Sequence, residues 1–169
     1  SGRYNIVAVC GLGKMTDLLS GSVTDALVSA ADREYEAFYG VTFPSLYAMM
    51  PRRHMHDYGT TLEQLALVAV KNHRNGYYNP KAQFRRLITV EDVYRSPVIA
   101  DPLRLLHCSP VSDGAATIIL ADEKTAKKYT DRPVYILACA QASDTLGLYN
   151  RKDLTTMESV VSASKVAYE

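Results

Sequence analysis

Three stretches of the chain are apolar at nearly every position, without the polar alternation of a half-exposed strand. They run from Ile6 to Cys10, from Ala115 to Leu120 and from Pro133 to Cys139. Continuous runs of small and β-branched residues are typical of strands that are covered on both faces within an α/β sheet. The pattern therefore predicts three buried strands, the second of them preceded by a turn at Asp113-Gly114.

One amphipathic helix stands out in the first half of the chain. Apolar residues recur there at positions i, i+3, i+4 and i+7, which predicts a helix between Tyr58 and Gly76. Thr60 and Glu63 have the spacing of a capping box at its start, and Gly76 supplies a stop. The predicted apolar face consists of Leu62, Leu65, Ala66 and Ala69.

Shorter helices are predicted from caps, prolines and looser apolar spacing. A loosely helical pattern covers residues 17–38, and Pro44 suits the first turn of another helix, which Pro51 should kink or end. Thr89 opens a short helix that must end by Ser96. The remaining signals are a glycine stop at Ser1-Gly2-Arg3, a cap at Asp122 for residues 123–129, and a capping box of Thr155 and Glu158 before a last helix.

The composition and charge of the chain disfavour some classes of function. The 169 residues are 47% hydrophobic and 22% charged with a net charge of +1, which is ordinary for a folded domain and gives no overall field for nucleic acid. A nucleic-acid site at Tyr77, Tyr78, Arg85 and Arg86 is therefore disfavoured. The longest apolar runs are far shorter than the roughly 20 residues of a membrane span. Three widely spaced cysteines suggest reduced thiols, so we expect a cytoplasmic protein.

Candidate nucleophiles and metal ligands are few. Cys108 follows His107, but adjacent side chains diverge, which disfavours a thiolate–imidazole pair. His54 and His56 could share a metal only on a strand, and no third ligand is evident. We therefore predict no catalytic residue and no metal ligand within these residues.

The stretch Ser112-Asp-Gly-Ala-Ala, followed by an apolar strand, resembles a pattern of the thiolase superfamily, most closely that of archaeal and sterol-carrier-type thiolases. The resemblance covers nearly the whole chain, and the motifs are specific in combination. Three further stretches agree in the family's order: Ser1-Gly-Arg-Tyr-Asn-Ile-Val-Ala-Val, Tyr58-Gly-Thr-Thr-Leu-Glu-Gln-Leu-Ala, and Asn79-Pro80 with Thr89-Val-Glu-Asp-Val.

The resemblance implies an α/β fold that is part of the layered α/β/α/β/α thiolase fold, with an inserted, mostly helical loop domain. Residues 1–16 would end the N-terminal half, and residues 17–107 would form the loop domain. Residues 108–132 would supply the last strand and helix of the N-terminal half, and residues 133–169 would begin the C-terminal half. The resemblance also implies a homodimer or a partner subunit.

Thiolases transfer an acyl group from acyl-CoA to a cysteine and condense it with a second acyl-CoA, or run the reverse thiolytic cleavage. The resemblance therefore implies coenzyme A or acyl-CoA as substrate, covered by the loop domain. It places the nucleophilic cysteine and the catalytic histidine outside these 169 residues, so we expect the segment alone to be inert. The alternative is a non-catalytic acyl-CoA-binding subunit, or an aldolase-type partner of a thiolase-like complex.

Three residues match positions that contact coenzyme A in the family. Tyr58, with Asp57 before it, matches the lining of the acyl and pantetheine tunnel, and Ser109 matches a serine that can hydrogen-bond the pantetheine. Many biosynthetic thiolases have His-Met in place of Asp57-Tyr58, which leaves the acyl specificity open. The structural alternatives are a tyrosine packed at a helix start and a serine that satisfies its own turn. Gly13 and His107 also depart from the family, where Glu and Asp are common.

Overall fold

The computed structural model describes residues 3–169, and in that range the chain forms six helices and four strands. The predicted glycine stop at Ser1 and Gly2 lies outside the described residues. Short 3-10 turns occur at Ala37–Tyr39, Leu105–His107 and Leu148–Asn150. In chain order the elements are β1 (Ile6–Gly13), α1 (Ser20–Val28), α2 (Phe43–Tyr58), α3 (Leu62–Tyr78), α4 (Val90–Arg95), β2 (Val98–Ala100), β3 (Leu103–Arg104), β4 (Gly114–Ala121), α5 (Glu123–Ala126) and α6 (Glu158–Tyr168).

The strands β1 and β4 pair antiparallel, although helices α1 to α4 lie between them in the sequence. The pairing runs in register from Ile6 opposite Ala121 to Gly13 opposite Gly114. The first two predicted strands are thus confirmed, but the prediction that they are buried is wrong, because every residue of both strands is exposed, including Cys10. Within residues 3–169 this sheet has two strands only, and no second layer covers its apolar faces.

The third predicted strand is absent from the described chain. Residues 133–139 form no hydrogen-bonded ladder with any other described segment. The side chains of Val134 and Leu137 are 96% and 95% exposed, and Cys139 is exposed as well. A strand exists only where a neighbour completes its backbone hydrogen bonds, and residues 3–169 supply none here.

The boundaries of α2 and α3 differ in several places from those predicted from the sequence. The helix α2 has Pro44 in its first turn as predicted, but it continues through Pro51, because one lost intrahelical hydrogen bond is tolerated between two capped ends. Gly59 ends α2 in the left-handed conformation at φ 69°. The predicted start of α3 was early, since its capping box is formed by Thr61 and Gln64. The predicted stop was also wrong, because Gly76 lies inside α3.

Two small clusters of buried residues hold the helical part together. The first joins α3 to α4, where Ala66 and Val93 are completely buried. The second joins α1 to α2 through Val28, Ala31 and Leu46, and Leu148 packs on it from far along the chain. Both clusters lie in the helical region, so the two-stranded sheet of β1 and β4 contributes no residue to the buried core.

The other helix predictions differ in their boundaries. The helix after Thr89 is confirmed, with Thr89 as its cap. The loosely helical region shrinks to α1 and a 3-10 turn, and α5 is capped by Asp122 as predicted but ends at Ala126. The predicted box of Thr155 and Glu158 does not form, since Thr155 donates to Asp153 and α6 follows Met157 without a side-chain cap.

Candidate functional site

Asp57 and Tyr58 form the last residues of α2, and an ion pair restrains the first of them. The Nε of Arg53 donates to Asp57 Oδ2 at 2.6 Å across one helical turn. The hydrogen bond to Asp57 and the charge of Asp57 raise the pKa of Arg53, with a smaller contribution from the charge of Asp153. The end of α2 therefore carries a carboxylate that is already paired and a large aromatic side chain beside it.

The ring of Tyr58 packs against His54, one helical turn earlier. The two ring centroids are 4.7 Å apart with an interplanar angle of 40°. His54 Nδ1 in turn lies 2.6 Å from the hydroxyl oxygen of Thr60, beyond the turn. Tyr58 is 66% exposed and is the last residue of α2, so among the described residues it is not packed on the core at a helix start. Its ring is held at the surface by a helix neighbour.

Ser109 lines a groove that runs beside α3, which we call the α3 groove. Its volume is about 820 Å³. Its charged and titratable lining side chains are Arg86, His73, His107 and Cys108, and no Asp or Glu is among the described residues that line it. Such a groove suits an anionic or neutral ligand better than a cationic one. The remaining lining residues are Ala69, Asn72, Gly76, Ala82, Gln83, Phe84, Leu105, Leu106, Pro110 and Ser112.

His107 and Cys108 form part of the groove wall without forming a catalytic pair. The backbone N–H of Arg104 donates to His107 Nδ1 at 3.0 Å, and the thiol of Cys108 points to the Arg104 carbonyl oxygen at 3.5 Å. Burial lowers the pKa of His107 and raises the pKa of Cys108. Both groups are thus favoured in their neutral forms, and a neutral thiol is a poor nucleophile.

The loop that carries Ser109 is anchored by Asp113. Its Oδ1 accepts the backbone N–H groups of Met15 and Thr16 at 2.8 and 3.0 Å. Its Oδ2 accepts Lys14 Nζ at 2.5 Å and the Thr16 hydroxyl at 2.6 Å. These bonds, above all that from Lys14, hold the pKa of Asp113 well below its usual range. Asp113 thereby joins the end of β1 to the residues that lead into β4.

The structure brings only some of the sequence-predicted residues together. Asp57 and Tyr58 share the end of α2, but neither lines the α3 groove, which contains Ser109. The sequence interpretation missed the contacts that Arg53, His54 and Asp113 make. The first two were detectable, because each stands four residues before its partner, the spacing at which side chains meet on a helix. Asp113 bonds to residues 14–16, which are distant along the chain, so no local sequence pattern predicts these contacts.

Two observations concern metals and membranes. Among residues 3–169, no three His, Cys, Asp or Glu side chains are grouped so that they could hold a metal ion. No described helix combines the length and apolar character that crossing a bilayer requires.

Comparisons with known proteins give a consistent result. The family described as thiolase, N-terminal domain, matches residues 1–124. Acetyl-CoA acetyltransferase of Methanothermobacter thermautotrophicus is 54% identical over 169 residues, covering 100% of this chain and 44% of that relative. The protein of the same name from Methanocaldococcus jannaschii is 47% identical over 171 residues, covering 100% of this chain and 43% of the relative.

A solved structure is also similar. The chain of the "Ltp2-ChsH2(DUF35) aldolase" superposes with a TM-score of 0.78 at 28% identity, covering 97% of this chain and 44% of that one. The chain thus spans less than half the length of the two acetyltransferases and of the aldolase chain.

Proposed function

Because the chain belongs to the thiolase family and has its α/β fold, we propose that it forms part of an acyl-CoA acyltransferase. The reaction is the condensation of two acyl-CoA molecules or the cleavage of a 3-oxoacyl-CoA by coenzyme A. The observation that carries the proposal is the 54% identity, across the whole chain, to a protein named acetyl-CoA acetyltransferase. We assign no catalytic residue of the transfer to residues 1–169, whose role is to bind the coenzyme.

The arrangement of elements supports a loop domain between two strands of one sheet. The helices α1 to α4 all lie between β1 and β4, and those two strands pair directly. We propose that residues 17–107 form this loop domain, between residues 1–16 and 108–132, and that residues 133–169 begin a second half. From the family resemblance we also propose that the complete protein forms a homodimer or associates with a partner subunit, and that it is located in the cytoplasm.

The α3 groove is the proposed site for part of coenzyme A. Its volume of about 820 Å³ falls within the range of roughly 300–1,000 Å³ that is usual for small-molecule sites. Arg86 and His73 offer donors for phosphate oxygens, and Ser109 offers a hydroxyl for the pantetheine. Tyr58 and Asp57, at the end of α2, are proposed to contact the acyl end of the same substrate.

We expect the protein to bind coenzyme A, and Ser109→Ala to weaken that binding about fivefold. The reason is the loss of one hydrogen bond between neutral groups, which contributes roughly 1 kcal/mol. Isothermal titration calorimetry measures both dissociation constants. Ser164→Ala is the matched control, because Ser164 lies on α6 and its hydroxyl donates to the Val161 carbonyl oxygen, away from the groove lining. Equal affinities of the Ser109 variant and the unmodified protein would remove Ser109 from the site.

A second candidate function is favoured by the structural similarity to the aldolase chain at a TM-score of 0.78. In this alternative the chain belongs to an acyl-CoA-binding, aldolase-type partner in a thiolase-like complex. The two reactions differ in what they consume. Thiolysis of a 3-oxoacyl-CoA needs free coenzyme A, whose sulfur forms the new thioester as the bond between carbons 2 and 3 breaks. Retro-aldol cleavage of a 3-hydroxyacyl-CoA breaks the same bond without coenzyme A, and carbon 3 leaves as a carbonyl compound.

We expect the complete protein, of which these 169 residues form part, to shorten 3-oxoacyl-CoA only when coenzyme A is added, and to leave 3-hydroxyacyl-CoA unchanged. Liquid chromatography of the CoA thioesters measures both reactions in parallel. Release of a carbonyl product from 3-hydroxyacyl-CoA, with no thiolysis, would replace the first candidate function by the second.

A further inference from the structure

The wall of the α3 groove contains a polar atom that the described chain leaves without a partner. His107 Nε2 is buried and has no hydrogen-bond partner among residues 3–169. The side chain to which it belongs lines the groove. The other buried side-chain atom of this kind in the described residues, Arg151 Nε, belongs to a residue outside the groove lining. An unsatisfied polar group and a cavity therefore occur together at His107.

The hydrogen bond at the other ring nitrogen determines what Nε2 can offer. His107 Nδ1 accepts the backbone N–H of Arg104 at 3.0 Å, so Nδ1 carries no proton. Burial lowers the pKa of His107, which favours the neutral ring at pH 7. A neutral imidazole whose Nδ1 is unprotonated carries its proton on Nε2. The ring therefore has an uncharged N–H donor that lacks an acceptor.

We propose that His107 is a binding residue for coenzyme A, and that its Nε2–H donates to an amide carbonyl oxygen of the pantetheine arm. The inference rests on the proposed function, in which the α3 groove holds part of coenzyme A. Nearly all buried N–H groups in native proteins are paired with a protein atom, an ordered water or a ligand. Since the described residues supply no acceptor for Nε2, a ligand in the groove that the ring lines is placed to supply one.

The charge of the donor decides between the acceptors that coenzyme A offers. Phosphate oxygens are anionic and pair best with a cationic donor, which Arg86 supplies in the same groove. His107 offers no charge to compensate for the desolvation of a phosphate, whereas an amide carbonyl oxygen is a neutral acceptor. Leu105 and Leu106 add apolar lining that suits the alkyl segments of pantetheine. The pantetheine arm is therefore the part of coenzyme A that fits beside His107.

This contact distinguishes the chain from the pattern that its family resemblance implies. An ionised Asp, which is common at the position of His107 in the family, accepts hydrogen bonds and has no proton to donate. The donor at this position therefore belongs to this sequence and is absent from relatives that carry the carboxylate.

The test uses two substitutions that separate the two nitrogens of His107. The amide of Asn reaches the place of Nδ1, so its oxygen can still accept the Arg104 N–H, but no atom replaces Nε2. The amide of Gln reaches the place of Nε2, and its N–H can donate to a ligand. Isothermal titration calorimetry of the complete protein measures the dissociation constants of coenzyme A and of adenosine 3′,5′-bisphosphate, which lacks the pantetheine arm.

We expect His107→Asn to weaken the binding of coenzyme A about fivefold, which is the effect of losing one hydrogen bond between neutral groups. The same variant should bind adenosine 3′,5′-bisphosphate as tightly as the unmodified protein does. His107→Gln should keep most of the affinity for coenzyme A, because it keeps the donor. Where His107→Asn does not fold, His107→Asp is the second variant, since it keeps the acceptor and lacks the donor, and the bisphosphate measures the effect of its charge.

Three results would overturn the inference. A purely structural role through Nδ1 predicts the reverse order, with His107→Gln binding coenzyme A more weakly than His107→Asn. An equal loss of affinity for both ligands in His107→Asn would place the contact at the nucleotide. Unchanged affinity for coenzyme A would mean that water or another part of the complete protein satisfies Nε2. Each of these results leaves the proposed function standing, whereas an unmodified protein that does not bind coenzyme A would overturn that function and the role of His107 with it.

Discussion

Replacement of Glu36 by alanine is expected to lower the free energy of unfolding by about 3 kcal/mol. Glu36 is 6% exposed, and its two oxygens accept two backbone N–H groups. Oε1 accepts that of Leu148 at 2.7 Å and Oε2 that of Asp32 at 3.1 Å. Alanine would leave both part-buried donors without a protein acceptor, and an unpaired buried donor costs roughly 1–3 kcal/mol. Urea denaturation monitored by circular dichroism measures the loss.

Loss of these two hydrogen bonds should also loosen the chain locally, around Leu148. Leu148 packs on the cluster that joins α1 to α2, and the Tyr149 hydroxyl donates to Asp32 Oδ2 at 3.2 Å while its ring contacts Tyr35. We therefore expect the Leu148 amide to exchange with solvent about 100-fold faster in Glu36→Ala. Glu36→Gln is the matched control, because its carbonyl oxygen still accepts one N–H, and it should lose about half as much stability. Unchanged exchange at Leu148 in Glu36→Ala would show that Glu36 does not hold this amide.

The caps of α3, α4 and α5 were predictable to within a residue, because the chemistry of a cap is local. Thr89 opens α4 where the sequence placed it. The start of α3 shows the limit, since Thr60 with Glu63 and Thr61 with Gln64 both fit the spacing of a capping box. The structure uses the second box, because the left-handed Gly59 turns Thr60 towards His54. A contact between α2 and the turn that follows it thus distinguishes two equivalent local signals.

Burial was predicted less well than strand position. The apolar runs of β1 and β4 did form strands, yet Ile119 is 72% exposed and Val9 is 46% exposed. An apolar pattern shows that a segment is suited to being covered, but it does not show which residues supply the cover. The segment at residues 133–139 has the same pattern and forms no ladder, because a strand also needs a partner for its backbone groups.

The contacts that sequence reasoning could not find join residues that are distant along the chain. Asp113 meets Lys14, and Glu36 meets the Leu148 amide, across most of the chain length. Neither pairing follows from periodicity or from a short motif, since each requires the course of the backbone between them. The Asp-Gly turn before β4 was visible in the sequence, whereas the role of its aspartate as an anchor for the Ser109 loop was not.

Replacement of Asp113 by alanine is expected to weaken coenzyme A binding by at least tenfold, more than Ser109→Ala does. The alanine variant loses all the hydrogen bonds that join residues 14–16 to the loop of Ser109. That loop would then have to be ordered by the ligand itself, and the ordering entropy would reduce the affinity. Isothermal titration calorimetry with coenzyme A measures the change, and an affinity equal to that of the unmodified protein would show that the hydrogen bonds of Asp113 do not act on the α3 groove.

The stability that Asp113 contributes should also decrease in acid, because the pKa of Asp113 is lowered in the folded protein. A carboxyl group whose pKa is depressed on folding stabilises the folded state above its unfolded pKa, near pH 4, and loses that contribution as the pH falls through the folded value. Asp113→Asn is the control, since its Oδ1 can still accept from Met15 and Thr16 while its amide cannot pair with Lys14. The difference in urea midpoint between the unmodified protein and Asp113→Asn should be constant from pH 7 to 5 and shrink below pH 4. A difference that stays constant down to pH 3 would mean that the charge of Asp113 contributes nothing, and that its neutral hydrogen bonds alone hold the loop.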